Sequence, residues 1–467
     1  MRTLFPILLF FFGILAGYSQ ADTLVLDFRE YLAQVKRFHP VARQAQLTLN
    51  AGEATLLRAR GGFDPKLEAD FDKKNFKGDE YFDIFNATFK IPTYYGLEFK
   101  AQLEQNEGIF LNPQNNVPTD GLYSAGVSAS LLQGLWINDR MATLRKARLF
   151  QNQTAAERDL LINQILFEAS RAYFDWVMAF REYTVYSNFV LNAQIRFEGV
   201  KRSALAGDRP TIDTTEALIT VNNRLLSLEQ ARVYLIKSKL EVSNYLWVGD
   251  NIPLELQDNV IPEVQLNQEI DKAFEIEGLP LTEYTVENHP KLRALDFKVQ
   301  QLEVDRRLKG NKLLPKLDVS YNFLTATPQD ANSLNTENYK ASVKFALPLF
   351  LRKERGAFQL AKIKAQDARY DLSNAELQIR NKILAIYREL ESFINQNLLI
   401  DQIVRDYQRL VSAEERKFSF GESSLFLVNS REKSLIDAQL KAISVQNKFF
   451  SAKAKLFNSL AKNPSNF

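Results

Sequence analysis

The 467-residue chain has no cysteine and only two histidines. Without thiols it can form neither disulfides nor thiolate metal sites, and it has no cysteine nucleophile. It also lacks an N-terminal cysteine for lipid attachment. His39 and His289 lie 250 positions apart, each directly before a proline, Pro40 or Pro290. Metal ligands need to cluster, so this placement reads as two helix starts rather than a metal site. No phosphate-binding glycine loop and no supported Ser/His/Asp set is present, so enzyme chemistry is a remote reading and no cofactor is expected. A formal net charge of +3 offers no electrostatic case for nucleic acid. Beyond the N-terminus no run of 18 apolar residues occurs, so no transmembrane helix is expected.

The N-terminus itself is patterned. Arg2 precedes an apolar run from Leu4 to Ala16, and small and polar residues fill Gly17 to Ala21. This predicts a secretory signal peptide over 1–21. An exported chain without an apolar helix is either soluble or a β-barrel.

Two copies of one unit follow. An apolar seam runs Ile165, Ala169, Ala172, Trp176, Ala179, Tyr183, Tyr186, Val190, Ala193, Phe197 in steps of four and three, which is a heptad pattern. It reappears 214 residues later from Ile379 through Ile383, Ile386 and Phe393 to Val411, with Asn397 its only polar member. Other landmarks repeat in the same order. Pro65-Lys66-Leu67 and Pro315-Lys316-Leu317 are 250 apart, and Gly207 and Gly421 are 214 apart. Helices are predicted over Val41–Arg60 and Lys291–Lys309, with Gly61-Gly62 and Gly310 as their C-terminal stops. Long helices are predicted from about Asn138 to Ser203 and from about Glu354 to Phe418, roughly 100 Å each at ~1.5 Å per residue. Shorter helices return over Thr211–Trp247 and Leu425–Ala461.

Between the shorter and longer helices the period falls from 3.6 to 2. Leu317, Val319, Tyr321 and Phe323 alternate with Lys316, Asp318, Ser320 and Asn322. Tyr339, Ala341, Val343 and Phe345 alternate with Lys340, Ser342 and Lys344. Leu67–Phe71 and Tyr123–Leu131 are the first-copy strands. One apolar and one polar face fit a membrane barrel with lipid outside and water inside. The first copy carries an extra alternating stretch, Tyr81 to Glu104, which predicts one more hairpin, either in the sheet or beside it. The expected division is a signal peptide (1–21), a first repeat (22–247), an equatorial insertion (248–280) and a second repeat (281–467). Four repeat-derived strands cannot close a barrel, and an open edge in lipid strands backbone groups at several kcal/mol each. Strands must therefore come from more than one chain. The expected fold class is α+β: long helices forming an α-barrel, plus a transmembrane β-barrel shared between subunits.

This ordered set of landmarks resembles the TolC-like outer membrane efflux proteins over nearly the whole mature chain. The resemblance implies a homotrimer in the outer-membrane lipid of a Gram-negative bacterium, with a twelve-stranded barrel and a periplasmic helical barrel. It implies as partners a periplasmic adaptor and an inner-membrane pump of RND, ABC or MFS type. The tips at Gly207, Asp208, Gly421 and Glu422 would meet the adaptor, and Lys316, Asp318, Lys340 and Lys344 would line the barrel lumen. Well-known members carry two aspartates after the second turn, forming acidic rings. Here the corresponding positions hold Leu427 and Ser430, whereas the first copy holds Asp213 and Glu216. An acidic entrance ring would therefore come from Asp213, Glu216 or Glu422. The function expected is a passive exit duct for small molecules. A type I protein-secretion duct and a non-conducting coiled-coil tether are the alternatives.

Overall fold

The computed structural model describes residues 23–276, 288–329 and 335–464. The expected signal peptide, part of the insertion and part of the loop before Asn338 lie outside the described residues. The chain opens on strand β1 (Leu24–Leu26) and helices α1 (Phe28–Phe38) and α2 (Pro40–Arg60). Strands β2 (Lys66–Phe76), β3 (Asp79–Pro92), β4 (Leu97–Glu107) and β5 (Leu122–Leu132) follow. A helical hairpin, α3 (Asp139–Ala206) and α4 (Thr211–Ser243), completes the first copy. The waist holds β6 (Trp247–Val248), β7 (Ile252–Pro253), β8 (Val260–Pro262) and α5 (Asn267–Phe274). The second copy is α6 (Pro290–Asn311), β9 (Lys316–Thr325), β10 (Tyr339–Ala346), α7 (Arg352–Ser419) and α8 (Leu425–Ser459). Both long helices have 68 residues. No described helix is long and apolar enough to cross a membrane.

The His-Pro pairs begin α2 and α6. His39 Nδ1 accepts the Val41 N–H at 3.2 Å, and His289 Nδ1 accepts the Lys291 N–H at 3.1 Å. Each ring satisfies one donor that a helix start leaves without an internal partner, while proline supplies no N–H to satisfy. The expected end of α2 holds: the helix stops at Arg60 with Gly61 as its C-cap, in a right-handed conformation that leads into a short 3-10 turn. Two other expected helix ends are corrected. Gly310 lies inside α6, which runs on to Asn311. A Cβ there would stand 3.2 Å from the Phe358 ring, so this glycine permits close approach of α6 to α7 rather than ending a helix. The second correction is that α4 stops at Ser243. Trp247 instead pairs with Pro253 in a two-stranded ladder, and its indole N–H donates to the Asn244 carbonyl at 3.0 Å.

The main sheet has six strands in the order β10-β9-β5-β4-β3-β2. The extra hairpin is β3–β4, and it lies within the sheet, between β2 and β5. Every neighbour is antiparallel, and the registers keep apolar residues opposite apolar residues. Val343 faces Val319, Ala129 faces Val319 from the other side, and Phe99 faces Val127 and Ile91. Because side chains alternate between faces, one surface of the sheet is mainly apolar and the other mainly polar, with the Lys73–Asp83 ion pair of β2 and β3 at the loop end of the apolar side.

Four helices lie side by side below the sheet, in the order α2, α3, α6, α7, and four lie beyond the waist, in the order α4, α3, α8, α7. Nearly all of the α3 seam is buried or half-buried, with Trp176 1% exposed. The largest core sits at the waist, where Phe28, Tyr31, Tyr173, Phe174, Phe274 and Phe457 pack together. There β1 pairs in parallel with β8, stitching the N-terminal segment to the insertion.

Candidate functional site

The polar face of the sheet brings the four expected lumenal residues together on β9 and β10. Lys344 stands directly opposite Asp318, and Lys340 opposite Asn322. Lys316 Nζ lies 3.0 Å from Asp318, which also accepts from Ser130 Oγ on β5. The same face continues across the extra hairpin, where Lys90 on β3 pairs with Glu68 on β2. Hydroxyl, amide and charged groups thus cover one side of the sheet, while the opposite side is apolar except near its loop end, which carries Lys73, Asp83 and Glu107.

The far end of the molecule holds the two tips. Gly207 has φ +86° and Gly421 φ +77°, the left-handed region that glycine adopts without strain. At the first tip the Asp208 N–H donates to Ser203 O at 3.0 Å and the Gly207 N–H to Ala204 O at 3.2 Å. At the second, the Glu422 N–H donates to Lys417 O at 2.9 Å and the Gly421 N–H to Phe418 O at 3.2 Å. Both are Schellman caps, which satisfy the last carbonyls of each long helix. The tips pack on one another through Val200, Ala217 and Leu425, and the Arg209 guanidinium lies 4.1 Å from the Phe418 ring centroid.

Asp213 and Glu216 occupy the first turns of α4, on its half-buried side. Asp213 faces Arg209 at 3.8 Å, and Glu216 accepts from Asn429 on α8 at 3.4 Å. Leu427 and Ser430, at the matching place on α8, are exposed, as are Asp208 and Glu422. The acids of the first copy are therefore partly occupied within the subunit.

Two features escaped the sequence reading. Large apolar side chains are exposed at the tips, among them Leu205, Ile212, Phe420 and Phe426. Ile212 and Phe426 are 214 apart, so the repeat itself marks them. The second feature is a buried ion network about two turns above the tip. Glu432 on α8, its side chain 1% exposed, binds Arg196 on α3 at 2.6 and 2.8 Å and also Arg224 on α4. Arg196 reaches Glu415 on α7 at 2.9 Å, and Arg224 donates to Phe189 O at 3.0 Å. Burial would raise the Glu432 pKa, but the two guanidiniums hold it below the usual carboxylate value. Nothing in helical spacing marks such a cluster, because its members come from four helices.

This arrangement, a one-sided sheet at one end of a long two-layered helical column with repeated tips, defines a TolC-like channel fold. The family model described as outer membrane efflux protein matches residues 281–462, the second repeat. The fold is similar to the open state of the Neisseria gonorrhoeae MtrE outer membrane channel, with a TM-score of 0.67 at 13% identity over 93% of this chain and 88% of that one. It is also similar to VceC from Vibrio cholerae, with a TM-score of 0.63 at 13% identity over 93% and 96%. The Campylobacter jejuni CmeC outer membrane channel gives a TM-score of 0.65 at 11% identity over 93% and 85%. No curated protein matches the chain. The second repeat thus matches the outer membrane efflux protein model, and the described chain as a whole shares the fold of these channels.

Proposed function

We propose that three copies of the chain form a passive exit duct for small molecules, energised by an inner-membrane pump through a periplasmic adaptor. The observation that carries this reading is that both flanks of the subunit are open and apolar. On α7, Ile363, Tyr370, Leu377 and Leu384 recur every seven residues, and all are exposed. They form a second heptad seam that the described residues of the subunit leave largely uncovered. The opposite flank exposes Leu47 and Leu57 on α2 and Ile219, Leu226 and Leu240 on α4. Apolar surface of this extent in an exported protein marks an interface. Copies joined flank to flank curl into a closed ring with the polar sheet face inside.

In this reading Lys316, Asp318, Lys340 and Lys344 line the lumen, and Asp213 and Glu216 lie at the periplasmic entrance. Gly207, Asp208, Gly421 and Glu422 turn the tips that meet the adaptor, where Phe420 and Phe426 offer apolar anchors. Leu427 and Ser430 supply an uncharged stretch at the entrance. The division into 22–247, 248–280 and 281–467 gives each copy of the repeat one stave of the wall. A continuous polar face favours a water-filled duct over a tether. Planar-bilayer recording of the purified oligomer tests the reading. Ion conductance is expected, and a silent oligomer, even after substitutions at Asp213 and Glu216, overturns it.

A further inference from the structure

The extra hairpin changes the size of the pore. We propose that the assembled barrel has eighteen strands, closed by pairing β10 of each copy with β2 of the next, with Lys344 opposite Asp70. This rests on the trimer reading, since six strands per subunit give eighteen only if three copies assemble.

The edges of the sheet point to a second copy of the same chain. Every residue of β2 and every residue of β10 is exposed, while β5 and β9 are largely half-buried. Both edges carry large apolar residues, including Leu67, Phe71, Val343 and Phe345. An exposed apolar edge is a template for strand pairing, and in lipid each unpaired backbone group costs several kcal/mol. β2 and β10 lie at opposite ends of an alternating six-strand order, so they meet antiparallel across a copy boundary.

The internal repeat supplies the register. Within the subunit, the last strand of the first copy meets the first strand of the second, with Leu131 opposite Leu317 and Ser128 opposite Ser320. The same relation between the second copy and the next subunit's first copy uses the offsets of 216 and 250 residues. It sets Leu347 opposite Leu67, Val343 opposite Phe71 and Phe345 opposite Ala69 on the lipid side. On the lumenal side it sets Lys344 opposite Asp70, Ser342 opposite Asp72, and Lys340 opposite Lys74 and diagonal to Asp72. Among the described residues, Asp70, Asp72, Lys340 and Lys344 form no ion pair within their own subunit. Cross-strand opposite charges stabilise a pairing, so the carboxylates of one edge suit the lysines of the other.

The helices below allow this width. Six strands about 4.8 Å apart and tilted about 40° cover roughly 38 Å of circumference. Four helices at about 9–10 Å spacing cover nearly the same arc, whereas four strands would cover only about 25 Å. The extra hairpin therefore brings the sheet to the width of the helical layer beneath it. At this spacing the barrel backbone widens from about 24 to about 36 Å in diameter, which roughly doubles the open cross-section. The outer mouth would then pass bulkier solutes, and the narrowest point would lie in the helical tunnel.

The cysteine-free chain suits disulfide mapping of the full-length protein in detergent. Native mass spectrometry counts the copies. Paired substitution Ser342→Cys with Asp72→Cys should give a covalent trimer on oxidation, and Ser342→Cys with Glu68→Cys, four residues out of register, should not. The pair Glu68→Cys and Ser128→Cys should stay reduced, because β3 and β4 separate those strands. A water-soluble maleimide should modify Asn86→Cys at least tenfold faster than Ala87→Cys in liposomes, since Asn86 lies on the polar, lumenal face and Ala87 on the apolar one. A disulfide between Glu68→Cys and Ser128→Cys would mean that β2 meets β5 and the barrel has twelve strands, and equal labelling of Asn86→Cys and Ala87→Cys would place the hairpin outside it. Either result overturns the eighteen-stranded barrel and leaves the trimer intact. A dimeric or monomeric mass overturns the trimer reading and the eighteen-strand count together.

Discussion

At the residue scale, the most consequential side chain is Glu432, which the heptad pattern does not mark. Its carboxylate neutralises Arg196 and Arg224 where three helices meet. Removing one partner of a buried ion group leaves uncompensated charge and costs about 3–5 kcal/mol. Glu432→Ala should therefore lower the thermal midpoint measurably, with the loss read by circular dichroism of the helical signal. The pH dependence has a definite sign. Because the folded carboxyl titrates below its ordinary value of 4.5, its stabilisation is complete above that pH. It is lost as pH falls through the lower folded value. The midpoint of the native chain should hold between pH 5 and 7 in this respect and drop below about pH 4.5, and Glu432→Gln should show a shallower acid limb. Asp213 can be tested separately. Asp213→Lys should shift ion preference away from cations if Asp213 lines the entrance, and unchanged selectivity removes it from that role. The pairing with Arg209 was visible only in the fold, although Arg209 and Asp213 stand four residues apart, at ion-pair spacing across the turn.

At the element scale, alternation along the strands was legible because a period of two admits only two facings. The observed registers put Val343 and Lys344 on opposite faces. Val343→Lys should impair membrane assembly, since a lysine facing lipid costs about 2–4 kcal/mol at the midplane. Lys344→Ser, on the water side, should leave assembly nearly unchanged, and heat-modifiable mobility of the purified oligomer reports both. Equal defects would contradict the facing. The helix ends were less legible. Gly207 and Gly421 cap their helices as expected, but Gly310 does not, because a glycine that admits a neighbouring ring looks the same in sequence as one that adopts positive φ. The missed stripe on α7 has a similar origin. A long helix with two seams blurs its own periodicity, since the Ile379–Val411 seam overlaps the stripe of Ile363, Tyr370, Leu377 and Leu384.

At the scale of the whole molecule, length sets the geometry and the flanks set the assembly. The α7 stripe and the α2 and α4 surfaces lie on opposite sides of the same layers as β10 and β2, so one lateral contact closes helices and strands together. Leu377→Glu should weaken oligomerisation while leaving the helical content of the subunit unchanged, because its side chain is more than half exposed in the subunit. Analytical ultracentrifugation in detergent measures this, and a variant that assembles like the native chain would remove α7 from the interface.

The sequence alone determined the repeat, the helix lengths, the alternating strands and the resemblance to TolC-like channels. Each of these rests on local periodicity or on ordered landmarks, and both survive without coordinates. Tertiary structure decided that the Tyr81–Glu104 hairpin enters the sheet, since a strand's neighbours depend on hydrogen bonds to segments far along the chain. It also decided the Arg196–Glu432–Arg224 network and the apolar flanks left open. Burial is a property of neighbours in space, and spacing along the chain reports it only where one element packs with a regular period.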